Sequence, residues 1–201
     1  MAESLQDKET RAQTAIKNKK SRESLVADLA SNSRKDRQNA AGALALVAHE
    51  KPQVLAEHIE VFIQTLDRPE AQTRWETLNA LTNLVEVDAS SCEQAFDGAE
   101  TALFDEESGP LQLAAMRFLC KIGATSKARS ERAWPLIDEG IQCYHGNLEF
   151  LEMMAAVIGF ASGNLAPEVK EALIARVRFD AENNTGLLQR RAQEVLDVLG
   201  N

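Results

Sequence analysis

Internal repetition constrains this chain more than any other feature. Four apolar segments align at spacings of 37 or 38 residues: AAGALALVA from Ala40, TLNALTNLV from Thr77, AMRFLCKIG from Ala115 and MMAAVIGFA from Met153. A fifth, RAQEVLDVL from Arg191, follows at the same spacing. Ala41, Leu78, Met116, Met154 and Ala192 form one column of the alignment. Leu44, Leu81, Leu119, Val157 and Val195 form a second, and Val47, Leu84, Ile122, Phe160 and Val198 a third. Steps of three and six residues keep the columns on one face of a helix, and an apolar face of that width must be buried. A face that recurs in register is buried most simply by stacking each copy on the next.

Between these segments lie partner helices. SRESLVADLA, PQVLAEHIEVFIQTL, SCEQAFDGAETALF, PLIDEGIQCY and PEVKEALIARVRF each carry their own apolar stripe. The expected fold is therefore all-α, an α-solenoid of about five stacked helix pairs with a period of 37–38 residues. Composition agrees: 30 alanines and 23 leucines stand against 28 valines, isoleucines and threonines, with aromatics at 5%. A sandwich or barrel would need many more β-branched and aromatic strand formers. We expect residues 21–201 to form a single repeat domain. Residues 1–20 contain few large apolar side chains, Leu5 and Ile16 among them, and are expected to be partly disordered or loosely packed.

Proline supports the segmentation. Pro52, Pro69, Pro110, Pro135 and Pro167 all fall at or near an expected helix start, where a missing N–H costs nothing. The extra length of SKARSERAW before Pro135 predicts a short separate helix there, with Trp134 as a local staple. Ser90 and Glu93 predict a capping box, and Gly123, Gly146, Gly163 and Gly200 suit helix C-termini.

Two stretches carry a family resemblance. In SRKDRQNAAGALALVA, Asp36 and Arg37 precede an alanine-rich second helix, and in QTRWETLNALTNLV, Arg74 repeats Arg37 after 37 residues. This resembles the HEAT and armadillo-like helical repeats. The resemblance implies that the aspartate and arginine form structural ladders between neighbouring repeats. It also implies that the second helices line a concave binding face. The motif fades further on: Pro110 or Leu111, then Phe150, then Leu188 stand where the arginine would recur.

The exposed columns of the second helices are the default binding surface. Gln38, Trp75, Leu113, Leu151 and Gln189 form one of them, and Gly42, Asn79, Arg117, Ala155 and Gln193 its neighbour. Tryptophan anchors interfaces out of proportion to its frequency. The candidate partner-binding residues are Trp75, Asn79 and Asn83 on one helix and Arg117 and Lys121 on the next, suited to an acidic or extended peptide.

Charge narrows the function classes. The chain carries 31 acids and 22 bases, a net charge of -9. Residues 1–40 hold nine bases and six acids, and the remainder is strongly acidic at -12. Phosphate neutralisation dominates nucleic-acid affinity, so nucleic acid is not the expected partner, and the basic stretch IKNKKSR lacks the interleaved aromatics of a nucleic-acid arm. Mean hydropathy of -0.28 and no long apolar run exclude a membrane span. The N-terminus lacks the apolar core of a secretory leader. Cys92, Cys120 and Cys143 are an odd set without a CxxC pair, as expected of reduced thiols in a cytoplasmic protein.

No phosphate loop, G-x-S-x-G or H-E-x-x-H is present. Cys143 and His145 are close in sequence but have no converging companions for zinc. We therefore expect no catalytic residues, no cofactor and no metal. The expected function is a non-catalytic interaction or scaffold module that binds a protein or peptide, with self-association compatible. The alternative is a HEAT-like nucleic-acid lesion binder or DNA glycosylase-type enzyme, to which the charge of the body is opposed.

Overall fold

The computed structural model describes residues 4–200, and these contain twelve α-helices, two 3-10 segments and no strand. They are α1 (Leu5–Lys17), α2 (Lys19–Asp28), α3 (Arg34–Glu50), α4 (Ile59–Thr65), α5 (Ala71–Leu84), α6 (Ala89–Cys92), α7 (Phe96–Leu103), α8 (Gly109–Gly123), α9 (Lys127–Cys143), α10 (Phe150–Ala161), α11 (Pro167–Asn183) and α12 (Gly186–Leu199). The 3-10 segments are Pro52–His58, before α4, and Glu93–Ala95, before α7. The second helices of the repeats are α3, α5, α8, α10 and α12. No described helix is long and apolar enough to cross a membrane. The chain divides into two compact units, Met1–Ala102 and Leu103–Asn201.

In the first unit, α5 packs on α3 and α3 packs on α1, with α2 and α4 as the outer helices. Residues 5–17 form a helix whose Ala12 and Ala15 are fully buried; residues 1–3 lie outside the described residues. Asn18 ends α1 and caps α2, accepting from the Ser21 amide at 3.2 Å. Arg22, in the basic stretch, donates to the Ala15 carbonyl at 2.9 Å and so fastens this corner. Ala41, Leu44 and Val47 of α3 and Leu78, Leu81 and Leu84 of α5 are at most 1% exposed.

The joint between these repeats is ionic. Arg37, at the start of α3, grips both carboxylate oxygens of Glu70, and its Nη1 donates to the Ser31 carbonyl at 2.7 Å. Glu70 is the N-cap residue of α5, but its carboxylate faces Arg37 and caps no helix amide. Bonding from the Arg37 guanidinium holds the Glu70 carboxyl below the usual carboxylate range, against the opposing effect of burial. The ladder implied by the resemblance thus runs from Arg37 to Glu70, while Asp36 lies in the first turn of α3, its amide donating to the Ser33 hydroxyl.

In the second unit, α10 packs on both α8 and α12, with α9 and α11 outside them. Met116, Leu119, Ile122, Met154, Val157, Phe160, Ala192 and Val195 are fully buried, continuing the three columns. Val198 departs from its column at 42% exposure, because no described helix follows α12 to cover it. The column register places Gln112, rather than Pro110 or Leu111, at the position of Arg37. Gln112 is buried, and its amide donates to the Asp105 carbonyl at 2.6 Å.

Three local expectations are corrected. The stretch before Pro135 is not a separate helix: α9 runs unbroken from Lys127 to Cys143 with Pro135 inside it. Ser126 caps this helix, accepting from the Arg129 amide, and the exposed face at Pro135 lets water serve the carbonyl that the ring leaves unbonded. Trp134 is not a local staple but stacks on Phe160 of α10, with centroids 6.4 Å apart and planes 3° from parallel. The helix at Ala89 is capped by Asp88, which accepts from the Ser91 amide at 3.0 Å, and not by Ser90. Gly163 does close α10, and here only glycine fits: a Cβ would stand 2.5 Å from the Ala124 carbonyl oxygen, which accepts from Asn164.

Candidate functional site

Trp75, Asn79 and Asn83 follow one another at single-turn spacing along α5, so they share one face of that helix. All three are half-buried. Asn83 donates from its side chain to the Asn79 carbonyl at 2.8 Å. Neither the Trp75 indole nor the Asn79 carboxamide has a hydrogen-bond partner among the described residues. Two donors and an acceptor on a half-open face, beside a large apolar ring, are equipped to grip a polypeptide backbone.

The residue between them, Glu76, was not anticipated. Its carboxylate meets Lys8 Nζ at 2.7 Å, with side-chain exposures of 12% and 24%. Lys8 belongs to α1, so it reaches α5 across α3, and it does so over Gly42. A Cβ on Gly42 would stand 2.7 Å from Lys8 Cε and 3.2 Å from Glu76 Oε1. The column position expected to face a partner at Gly42 is therefore buried beneath this ion pair. A glycine inside an alanine-rich helix was the one legible signal of such a close approach.

Arg117 and Lys121 belong to the second unit and lie one turn apart on α8. Arg117 Nη2 contacts Glu152 Oε2 of α10 at 3.2 Å, and Arg191 of α12 reaches the other oxygen of Glu152 at 3.3 Å. One carboxylate thus links three successive second helices. The expected cation at Arg117 already has an anion, and Glu152 and Arg191 were not singled out in the sequence.

Cys92 and Cys120 are shielded, and His145 and Tyr144 are engaged. Burial pushes the Cys92 thiol up to about 12 and the Cys120 thiol higher still, so both stay protonated. Cys143 is exposed, and none of the three forms a disulfide. His145 Nε2 lies 3.0 Å from Asp180 Oδ1, and its ring packs on Phe150 at 4.8 Å. The Tyr144 hydroxyl donates to the Leu103 carbonyl, and burial pushes its pKa up, so it stays protonated.

No protein-family model and no curated protein sequence matches the chain. Solved structures do. A designed armadillo repeat protein in complex with the peptide (KR)4 is 18% identical over 98% of this chain and 91% of its own, with a TM-score of 0.78. Computationally designed armadillo repeat proteins for modular peptide recognition match at 19% identity over 96% and 92%, with a TM-score of 0.71. The archaeal HEAT-like repeats protein from Thermococcus onnurineus matches at 14% identity over 98% and 93%, with a TM-score of 0.56. Helix pairs at a period of 37–38 residues, with their buried columns in register, therefore have an armadillo/HEAT-like fold, an all-α solenoid of stacked repeats.

Proposed function

We propose that this chain is a non-catalytic interaction module that binds an extended segment of a protein partner on the second-helix face of its first unit. The observation that carries the reading is the Trp75 indole and the Asn79 amide, half-open on α5 with no partner among the described residues. The amide of Asn79 donates to and accepts from the partner's backbone, and Trp75 supplies apolar contact between its side chains. The designed relatives in fold are described as peptide binders, one of them in complex with an alternating Lys-Arg peptide, which supports a peptide as the kind of partner.

Charge selects the side chains of that segment. The body beyond residue 40 is acidic at -12, and Arg117 is already bonded to Glu152. A basic extended segment is therefore favoured over the acidic one that Arg117 and Lys121 first suggested.

The test is fluorescence anisotropy of the full chain with labelled alternating Lys-Arg, Glu-Asp and Ser-Gly peptides, and with duplex DNA. The Lys-Arg peptide is expected to bind most tightly. Trp75→Ala with Asn79→Ala weakens it at least about tenfold, a hot-spot loss of about 1.4 kcal/mol or more. Arg117→Ala changes it less than about twofold, as a screened surface charge does. Preference for the Glu-Asp peptide, indifference to the Trp75/Asn79 change, or tighter binding of duplex DNA at about 50 mM salt overturns the reading.

A further inference from the structure

His58 closes the 3-10 segment that precedes α4, and it is 9% exposed. Its Nε2 is buried and makes no hydrogen bond. That nitrogen points at two carboxylates: Glu23 Oε1 of α2 lies 3.4 Å away and Glu57 Oε1 lies 3.8 Å away. All three ligand-capable atoms fall within 4.8 Å of one another. Wherever Nε2 carries no proton, its lone pair faces two anionic oxygens and is repelled by them unless a cation lies between.

From this geometry we propose that Glu23, Glu57 and His58 form a binding site for a divalent transition-metal cation of the zinc type. A metal bonding nitrogen and oxygen at about 2.0–2.2 Å in tetrahedral geometry sets its ligands about 3.3–3.6 Å apart. The Glu23–His58 separation of 3.4 Å already lies in that range. Glu57, whose side chain is 58% exposed, has to close from 3.8 Å on His58 and from within 4.8 Å of Glu23, a movement its exposed side chain allows. Water completes the coordination on the open side, where Glu23 and Glu57 reach solvent. One imidazole with two carboxylates suits zinc, cobalt, nickel or manganese; calcium and magnesium prefer oxygen alone. Lys19 Nζ lies 3.4 Å from Glu57 Oε1, but at 68% exposure it is a screened competitor that the divalent ion displaces. The site joins α2 to the segment before α4, two outer elements of the first unit, so occupancy ties successive repeats together.

The experiment is isothermal titration calorimetry of the full chain with zinc chloride, alongside thermal melts with zinc and with magnesium. Zinc is expected to bind one site per chain and raise the melting temperature, with magnesium inert. Loss of groups that merely orient metal ligands costs about 10–100-fold in affinity, so Glu23→Gln or Glu57→Gln weakens zinc at least about tenfold. Both residues are partly exposed, so these variants keep the fold; His58→Ala is confirmatory only. Lys19→Met removes the competing ammonium and tightens zinc about twofold or more. No binding at 1 mM zinc, or zinc binding that both carboxamide variants retain, overturns the proposal. So does a cluster that responds only to pH, which would leave a proton as the cation between these groups.

Discussion

In the unit Met1–Ala102 the residue that opens a second helix is Arg37 and then Arg74; in Leu103–Asn201 the same register holds Gln112, Phe150 and Leu188. Arg37 is buried against Glu70, whereas Gln112 is buried on the Asp105 carbonyl and Phe150 is 2% exposed beside the His145 ring. One position in a repeat thus accepts a guanidinium, a neutral amide or an aromatic ring. The helix start has to be filled, and which chemistry does so is secondary. A well-packed hydrophobic group commonly replaces a buried ion pair without loss, because desolvation offsets most of the Coulombic gain. The fading of the arginine motif along the chain therefore records a change of fastener, with the stack maintained.

The largest expected effect tests the aromatic version. Phe150→Ala removes a buried ring and leaves a cavity, at a cost of about 3–5 kcal/mol. At about 2–4 °C per kcal/mol for a chain of this size, the melting temperature falls by about 6 °C or more. A smaller fall would mean that the second unit does not depend on filling this position.

Next comes the ionic version. Glu70→Gln leaves the buried Arg37 with a neutral partner and lowers the urea midpoint at pH 7, by less than Phe150→Ala does. Because the native Glu70 ionises below its ordinary value of about 4.3, its contribution is fully present above that value and is lost as pH falls through the native one. The gap between the two proteins should narrow as pH falls below that ordinary value and close once pH is below the native one. Arg37→Met combined with Glu70→Leu should recover most of the pH 7 loss. A gap that persists in acid would show that the pair does not act through charge.

The smallest effect concerns the ion pair that crosses α3. Gly42→Ala displaces the flexible end of Lys8, yet gains up to about 1 kcal/mol of helix propensity, so net stability should move by less than about 0.5 kcal/mol. Chemical shifts of Lys8 and Glu76 should report the broken pair even so. A large destabilisation would mean that α1 is held by Lys8 and not by its buried Ala12 and Ala15.

Much of the fold was legible because burial leaves a period. The columns through Leu44, Leu81, Leu119 and Val157 are solvent-free where spacings of 37 or 38 residues required. Pro52, Pro110 and Pro167 mark helix starts for a local reason, their missing amide hydrogen. Pro135 misled for the same reason: locality permits a helix start there without requiring one, and the packing of α9 decided otherwise. On the candidate site, Trp75, Asn79 and Asn83 could be grouped because one helix carries them at fixed spacing. The partners of Arg117 and Glu76 could not, since Glu152 and Lys8 come from other helices.

The sequence by itself determined the helical class, the pairwise repeat and the faces that must be dry, because periodicity projects directly onto one side of a helix. Only the tertiary structure decided which charges meet: Arg37 with Glu70, Lys8 with Glu76 over Gly42, and His58 with Glu23 and Glu57. Such meetings depend on the separation of neighbouring helices and on side-chain reach, to within a fraction of an ångström. A pattern of apolar residues fixes the stacking order and leaves those distances to the packing itself.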